Sequence, residues 1–281
     1  IYTTINYTMQ QMAELAVGQH MPRLQKEFFE QNKTLDDSIA PFRELTSGAV
    51  DTLLRISMRR SERWRKMKYD LKKDNEEIEN SFFEPVDMTI FSWGGDIDTI
   101  MTPLDSMKYY KSFFRPGMMS MDPTNGHIKA WVGGMNYRHF QYDMVKKGKR
   151  QIGSTFKPFV YAAAIDQLKL SPCDTFPDSQ FCIEKNKFGN IEQWCPKNSG
   201  DKYGRTRTLK NALANSVNTV TARLMDRIGP QTVVKLAKDL GIEQRILPVP
   251  SIALGTPDLS VYEMVAAYST FANKGVYTQP V

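Results

Sequence analysis

Residues 118–132 constrain the fold of this chain more than any other segment. Two short segments that contain several apolar residues, 118–121 and 127–132, flank the sequence Asp-Pro-Thr-Asn-Gly at 122–126. Because proline and Asn-Gly suit a tight reversal of the backbone, this arrangement predicts a β-hairpin. We therefore expect an antiparallel pair of strands near the middle of the chain.

Hydrophobic periodicity elsewhere indicates the fold class. Residues 1–6 and 86–93 predict strands, and residues 8–30 predict an amphipathic helix. Residues 51–79 predict a helical stretch on the surface, because few apolar residues are there to anchor it. Further helices are predicted at residues 103–114, 153–168, 208–214, 219–228, 231–240 and 258–272, with irregular structure at 171–207. Strands early in the chain and helices late predict an α+β fold rather than alternating βαβ units.

The composition argues against two kinds of function. The three cysteines and three histidines occur at no metal-ligand spacing, so no zinc site is predicted. The longest apolar run has seven residues, 159–165, whereas a membrane-spanning helix needs about 20. The first residues predict a strand already under way, so we expect the chain to be a piece of a longer protein.

A basic run carries much of the net charge of +6. Residues 59–68 contain six arginines and lysines and one glutamate. Such a run predicts either a solvated helix face or a contact with an anionic surface, such as lipid headgroups or cell-wall polymer. Nucleic acid is disfavoured as a partner, because no zinc pattern, RNP motif or Gly-rich aromatic tract accompanies the charge.

The first chemistry-bearing motif is Ser154-Thr155-Phe156-Lys157, a Ser-x-x-Lys pattern. With 17 serines and 22 lysines in the chain, chance alone gives roughly 1.3 such matches. A second match exists at residues 199–202, within a predicted loop where no regular geometry fixes the lysine. Ser154 instead follows Gly153 at the start of an apolar helix, where residues three apart share one face. Context therefore favours Ser154 and Lys157.

These two residues suit acyl transfer. A serine hydroxyl is a poor nucleophile until a base accepts its proton, and a lysine is such a base only when neutral. Burial and the positive end of a helix dipole both disfavour the ammonium form. The same dipole stabilises the negative charge that develops when a carbonyl is attacked. We predict that Ser154 is the nucleophile and Lys157 its base.

The second motif is Ser216-Val217-Asn218, which is the single Ser-x-Asn sequence in the chain. It falls between two predicted helices, where a short loop would present both side chains to a cleft. Ser216 would relay a proton to the leaving amine, and Asn218 would hold a substrate carbonyl while orienting Lys157. The alternative is a plain helix break with an N-cap.

Longer segments around these motifs resemble class A (bifunctional) penicillin-binding proteins of the 1A type. The active-site segment is Arg-Gln-Ile-Gly-Ser-Thr-Phe-Lys-Pro-Phe at residues 150–159, and residues 121–134 resemble the family's hairpin. Residues 194–198 and 209–218 are similar to the stretch that carries the second motif. The likeness continues at residues 253–255, 266–275, 3–6 and 10–11. Residues 30–90 are less typical and resemble the longer insert of Bacteroidetes-type members.

The resemblance implies a fold and a domain division. The expected fold is the penicillin-binding transpeptidase (β-lactamase-like) fold, an antiparallel sheet flanked by helices. Residues 1–117 would be a linker strand and helical insert that follow a glycosyltransferase domain, and residues 118–281 would be the transpeptidase domain. The family's third motif, Lys-Thr/Ser-Gly, is absent from the chain, so we expect it, and the last part of the sheet, beyond residue 281.

The resemblance also implies an activity. Ser154 would attack the D-Ala-D-Ala bond of a peptidoglycan stem peptide, with Lys157 as base and Ser216 and Asn218 as the proton-relay and substrate-holding pair. The acyl group would then pass to an amine of a neighbouring stem peptide, and β-lactams would acylate the same serine. Stem peptides, β-lactams and cell-wall synthesis proteins are the expected partners, and no cofactor is implied.

The same resemblance places the protein at the periplasmic face of the inner membrane, held by an anchor upstream of residue 1. Oxidising conditions there permit a disulfide. Cys182 and Cys195 flank a turn that contains Gly and Asn, and we predict that they are bridged while Cys173 is free.

Two other functions remain open. The same fold serves as a β-lactam-binding sensor or a catalytically silent scaffold, which would keep acylation without peptide turnover. A β-lactamase shares Ser-x-x-Lys but needs an efficient deacylating base, and no such motif is evident in the sequence.

Overall fold

The computed structural model describes residues 2–33, 42 and 45–281. The chain folds into two units. The larger unit contains the described residues of Ile1–Gln10, Gly117–Gly133 and Tyr142–Val281, and the smaller unit contains those of Gln11–Pro116 and Gly134–Gln141. The predicted domain division at residue 117 stays a prediction, because these units interleave along the sequence.

Runs of helices are interspersed with short strands along the described chain. The first half contains α1 (Tyr7–Asn32), α2 (Ser47–Arg60), α3 (Glu62–Arg65), a π-helical turn (Lys66–Asp70), α4 (Asn75–Asn80), β1 (Val86–Ile90), β2 (Ile97–Met101), α5 (Pro103–Lys111), β3 (Met118–Met121) and β4 (Ile128–Val132). The second half contains β5 (Lys149–Gln151), a 3₁₀ turn (Gly153–Phe156), α6 (Lys157–Leu168), β6 (Thr175–Pro177), a 3₁₀ turn (Ser199–Asp201), β7 (Thr206–Thr208), α7 (Leu209–Ala214), α8 (Asn218–Ile228), α9 (Pro230–Asp239), a 3₁₀ turn (Pro250–Leu254), β8 (Asp258–Ser260) and α10 (Val261–Ala272). This mixture confirms the α+β class.

The predicted hairpin is confirmed. Strands β3 and β4 pair antiparallel, with Met118 opposite Val132 and a register shift at Ser120/Met121 next to the turn. The other described strands also pair two by two and antiparallel, as β1–β2, β5–β8 and β6–β7. Strand β2 had no counterpart in the sequence prediction, which ended the strand region at Gly94-Gly95.

The strand predicted at residues 1–6 is wrong for the described residues 2–6, which form no strand. A single backbone bond joins Asn6 N–H to the Lys129 carbonyl (2.9 Å). Thr4 uses its side chain instead, and its hydroxyl donates to the Ile128 carbonyl (2.8 Å). The Asn6 side chain then accepts the N–H of Met9 and so starts α1. Side-chain bonds thus replace the ladder that a strand would need.

The helical stretch predicted over residues 51–79 is present, but it is divided into α2, α3, a π-helical turn and α4. Ser61 has an extended backbone, and its hydroxyl accepts the N–H of Trp64, so it ends α2 and caps α3. The broken helices still bury apolar side chains, because Met58, Ile78 and Phe82 form a small core. A second cluster of the smaller unit contains the buried rings of Phe91, Phe113 and Phe140.

The main core of the larger unit anchors the start of α6. Helix α6 packs against α8 and α9, and its side chains Phe159 and Val160 are fully buried, as is Phe156 just before it. Phe156 and Phe159 stack with ring centroids 4.9 Å apart. Each buried phenylalanine contributes about 1.5–3 kcal/mol. The turn that carries Ser154 is therefore attached directly to the main core of the unit.

Two kinds of feature are absent from the described residues. No helix there combines the length and apolarity that a bilayer crossing requires. No group of three or more histidine, cysteine, aspartate or glutamate side chains there is arranged to hold a metal ion.

Candidate active site

Ser154 lies on the 3₁₀ turn that leads into α6. Gly153 before it has a φ of +56°, a conformation that glycine adopts without steric cost. Its N–H donates to the Gly255 carbonyl (2.9 Å). A Cβ on Gly255 would lie 1.8 Å from the Gly153 oxygen, so only glycine fits at position 255. The contact between these two backbone segments thus fixes the backbone just before Ser154.

The turn is held on its other side by Thr155. The Thr155 hydroxyl donates to the Ile152 carbonyl (2.6 Å), and the Tyr268 hydroxyl donates to the Thr155 carbonyl (2.5 Å). Ser154 itself is exposed, and its hydroxyl has no hydrogen-bond partner within the described part of the chain. The serine is therefore available to an incoming carbonyl.

The Lys157 side chain is buried, with 1% of its residue surface exposed. Its amine donates to the Ser216 carbonyl (2.6 Å), the Ser216 hydroxyl (2.9 Å) and the Asn218 Oδ1 (2.5 Å). Burial lowers the pKa of the Lys157 amine to about 8, so about a tenth of these amines are neutral at pH 7. Lys157 thus combines a fixed position with partial neutrality, as a general base requires.

The second motif bridges two helices, as predicted. Ser216 follows α7 with a φ of +53°, a strained conformation for serine that costs of order 1–3 kcal/mol. This conformation directs both its carbonyl and its hydroxyl to the Lys157 amine. The N-cap alternative is wrong, because the N-cap position of α8 is Val217, which has no polar side-chain atom.

Asn218 is held at both ends of its amide. Its Nδ2 donates to the Lys197 carbonyl (2.7 Å), which leaves Oδ1 facing Lys157. Its backbone N–H donates to the Asn198 Oδ1 (3.0 Å). The Asn198 side chain in turn donates through Nδ2 to the buried carboxylate of Asp178 (2.7 Å). The roles of Asp178, Lys197 and Asn198 were not predicted from the sequence.

The structure therefore unites Lys157, Ser216 and Asn218 through direct hydrogen bonds. Ser154 lies three residues before Lys157, as the pattern predicts, but these two side chains share no hydrogen bond among those described. The competing Ser199 lies on a different 3₁₀ turn (Ser199–Asp201), and Lys202 comes after it with extended backbone and an exposed side chain. That second match contributes no residue to the site.

The predicted disulfide is confirmed. Cys182 is bonded to Cys195, and Cys173 is free and exposed. Next to the bond, Ile183 and Trp194 exchange two backbone hydrogen bonds of 2.9 Å. The disulfide thus closes the loop that leads directly to Lys197 and Asn198.

Comparison with protein families identifies the chain. Residues 117–281 match the model of the penicillin binding protein transpeptidase domain, and residues 37–114 match that of the penicillin-binding protein middle domain. The chain therefore belongs to the penicillin-binding protein transpeptidase family. The predicted family and fold are both confirmed.

Individual relatives point to the 1A type. The chain is 34% identical to penicillin-binding protein 1A of Aquifex aeolicus over 165 residues, which are 58% of this chain and 22% of that protein. It is 35% identical to penicillin-binding protein 1A of Neisseria lactamica over 159 residues, or 56% of this chain and 20% of that protein. The match thus spans about a fifth of these relatives' length.

Solved structures agree with this assignment. The chain is similar to the crystal structure of penicillin-binding protein 1A from Haemophilus influenzae, with a TM-score of 0.55 and 30% identity over 59% of this chain and 24% of that one. It is also similar to the penicillin-binding protein PonA1 from Mycobacterium tuberculosis, with a TM-score of 0.50 and 27% identity over 58% of this chain and 44% of that one.

Proposed function

We propose that this chain performs D,D-transpeptidation on peptidoglycan stem peptides through an acyl-enzyme on Ser154. The observation that carries the proposal is the Lys157 amine, which is buried, is held by Ser216 and Asn218, and has its pKa lowered to about 8 by burial. Membership of the transpeptidase family supports the reaction class. The exposed Ser154 on the turn before Lys157 supplies the nucleophile.

In the acylation step, each proton transfer has a defined donor and acceptor. The Ser154 oxygen attacks the carbonyl carbon of the penultimate D-Ala, and its proton passes to the neutral Lys157 amine. The positive end of α6 favours the negative charge that develops on the carbonyl oxygen. The C–N bond then breaks, and the terminal D-Ala leaves as an amine protonated through the Ser216 hydroxyl. The product is an ester between Ser154 and the shortened stem peptide.

Deacylation reverses these roles. The amine of a neighbouring stem peptide attacks the ester, loses a proton to the base, and forms the new amide while the Ser154 oxygen regains its proton. With water in place of the amine the product is a carboxylic acid, which is carboxypeptidase activity. A β-lactam acylates Ser154 by opening its ring amide, and the leaving nitrogen stays tethered to the adduct.

We further propose that the full-length protein is bifunctional, with a glycosyltransferase domain and an anchor that place it at the periplasmic face of the inner membrane, among other cell-wall synthesis proteins. This proposal follows from the resemblance to class A (bifunctional) penicillin-binding proteins; the chain matches about a fifth of the length of its 1A-type relatives, so those proteins are long enough for further domains. Fractionation of cells and polymerisation of a lipid-linked glycan precursor by the full-length protein test these two parts.

Mass spectrometry of the full-length protein after incubation with benzylpenicillin tests the main proposal. We expect one penicilloyl adduct on the peptide that contains Ser154, and release of D-Ala from a pentapeptide substrate in its absence. An adduct elsewhere contradicts the proposed nucleophile. Acylation of Ser154 without D-Ala release or cross-linking identifies a β-lactam-binding sensor or silent scaffold instead.

A further inference from the structure

The start of helix α8, where Asn218 lies, is capped by a residue from a distant segment. The first N–H groups of a helix have no partner within it, and a polar side chain at the N-cap usually accepts from them. Here the N-cap position is Val217. The Asn198 Oδ1 accepts instead from the N–H groups of Asn218 (3.0 Å) and Thr219 (3.1 Å). Asn198, which lies 20 residues before Asn218 in the sequence, therefore caps the start of α8.

Asp178 in turn holds Asn198. Its carboxylate is fully buried, with 0% exposure. One oxygen accepts from Asn198 Nδ2 (2.7 Å) and the Thr219 hydroxyl (2.8 Å). The other accepts from Gly204 N–H (3.0 Å) and Arg207 Nε (2.6 Å). A buried charge is retained only when it is paired and hydrogen-bonded, and four donors meet this requirement.

The charge state of Asp178 follows from these contacts. Burial acts to raise the pKa of the carboxyl, but the hydrogen bonds from Arg207, Thr219, Asn198 and Gly204 outweigh it and hold the pKa below its ordinary value. Asp178 is thus an anion at neutral pH, next to the first turn of α8. The helix dipole favours an anion there.

From Asp178 the contacts lead to the base. Asn198 fixes the backbone of Asn218, and the neighbouring Lys197 carbonyl fixes its Nδ2. The remaining amide atom, Oδ1, accepts from the Lys157 amine. No described hydrogen bond joins Asp178 to Lys157 or Ser154, so any effect of Asp178 on them passes through Asn198 or Thr219 to the adjoining Asn218.

We propose that Asp178 is a positioning residue for acylation, which fixes the Asn218 amide and hence the Lys157 amine through Asn198. This inference rests on the proposed function of Ser154 and Lys157. Rates of reactions that depend on aligned groups fall about 100-fold when a group is misplaced by about 1 Å. The uncharged amide in Asp178→Asn has one accepting oxygen and one NH2 group, so it does not satisfy both the Asn198–Thr219 pair and the Gly204–Arg207 pair of donors. The hydrogen bonds that fix Asn198 are then weakened, and Asn218 is held less firmly.

The test is Asp178→Asn in the full-length protein, with a fluorescent penicillin as probe. A labelling time course gives two quantities, the acylation rate constant and the fraction of molecules labelled at the end. We expect the rate constant to fall about 10- to 100-fold while the final labelled fraction stays that of the unmodified protein. Asp226→Asn is the matched control, because Asp226 lies on α8, the helix that Asn218 begins, and pairs with Lys187 (2.5 Å) away from the site. Its rate constant should not change.

A purely structural role gives the opposite pattern. A lowered final fraction with an unchanged rate constant shows that Asp178 only holds the fold together, and it overturns the inference. Thr219→Val decides the matter if Asp178→Asn does not fold, since it removes one donor to Asp178 and keeps the side-chain shape. We expect slower acylation with full final labelling, and an unchanged rate constant overturns the inference. If the unmodified protein does not label at Ser154, the proposed function itself fails.

Discussion

The chain contains the same four-residue pattern twice, and the two copies have different structures. At residues 154–157 the serine lies on a turn that continues into α6, and the lysine is buried against three oxygen acceptors. At residues 199–202 the turn includes two left-handed residues, Gly200 and Asp201, and the lysine is extended and exposed. The difference lies in the residues after each serine, because an apolar helix buries its lysine and a polar loop does not.

Replacement of the two serines gives the largest expected difference. Ser154→Ala in the full-length protein should slow covalent penicillin labelling by at least about a thousandfold, since it removes the nucleophile. Ser199→Ala should leave labelling intact. Fluorescence of the labelled band after gel electrophoresis measures both, and equal losses would mean that helix context is no guide to the reactive serine.

Replacement of the two lysines by arginine separates charge from basicity. Guanidinium keeps the positive charge but does not lose a proton near neutral pH. Lys157→Arg should therefore slow acylation by about 100-fold or more, the usual contribution of a general base. Lys202→Arg is the control and should have no effect. A Lys157→Arg protein that acylates at the normal rate would remove Lys157 from the role of base.

The pH dependence of acylation distinguishes a buried from an exposed lysine. Only the neutral amine accepts the Ser154 proton, and burial lowers the Lys157 pKa to about 8. The acylation rate constant should therefore rise about tenfold per pH unit below about 8 and level off above it. Stopped-flow or rapid-quench measurements between about pH 6 and 9.5 test this. A profile that is flat below about pH 8 would contradict a base of this pKa, and one that still rises at about pH 9.5 would indicate a solvated lysine.

Two glycine substitutions compare the backbones near the two serines. Gly255 and Gly200 both have positive φ, +73° and +68°, but a Cβ meets the Gly153 backbone only at position 255. Gly200→Ala should lower the free energy of unfolding by about 1–2 kcal/mol, the cost of left-handed backbone. Gly255→Ala should lower it by about 2–5 kcal/mol, because overpacking adds to that cost. Urea unfolding measures both, and similar losses would show that the contact with Gly153 relaxes freely.

Sequence reasoning succeeded where a local pattern decides the structure. The hairpin at residues 118–132, the helix after Ser154 and the loop at 216–218 each depend on neighbours in sequence. It failed to predict the small core of Met58, Ile78 and Phe82. Each short helix contributes only one or two apolar residues, so the sequence shows no helical hydrophobic period there.

The hydrogen bonds of Asp178 and Asn198 that hold the start of α8 also could not be predicted from the sequence. Asp178 meets Asn198 across 20 residues and Thr219 across 41. A lone aspartate in an irregular stretch gives no pattern that marks it as buried. Asn198 likewise has the sequence context of an ordinary loop residue. Its capping role is recognisable only in the structure, which places it at the start of α8.

The bond between Cys182 and Cys195 also has a consequence for the bench. It closes a loop whose ends are 13 residues apart. By restricting the unfolded chain, such a link stabilises the folded state by about 3 kcal/mol. A thiol reagent in a purification buffer that reduced this bond would yield a covalently different molecule whose mass is greater by only two hydrogen atoms. The altered loop ends two residues before Lys197. Protein batches prepared with and without reductant therefore differ chemically. Each labelling rate should be accompanied by an intact-mass measurement or a count of free thiols.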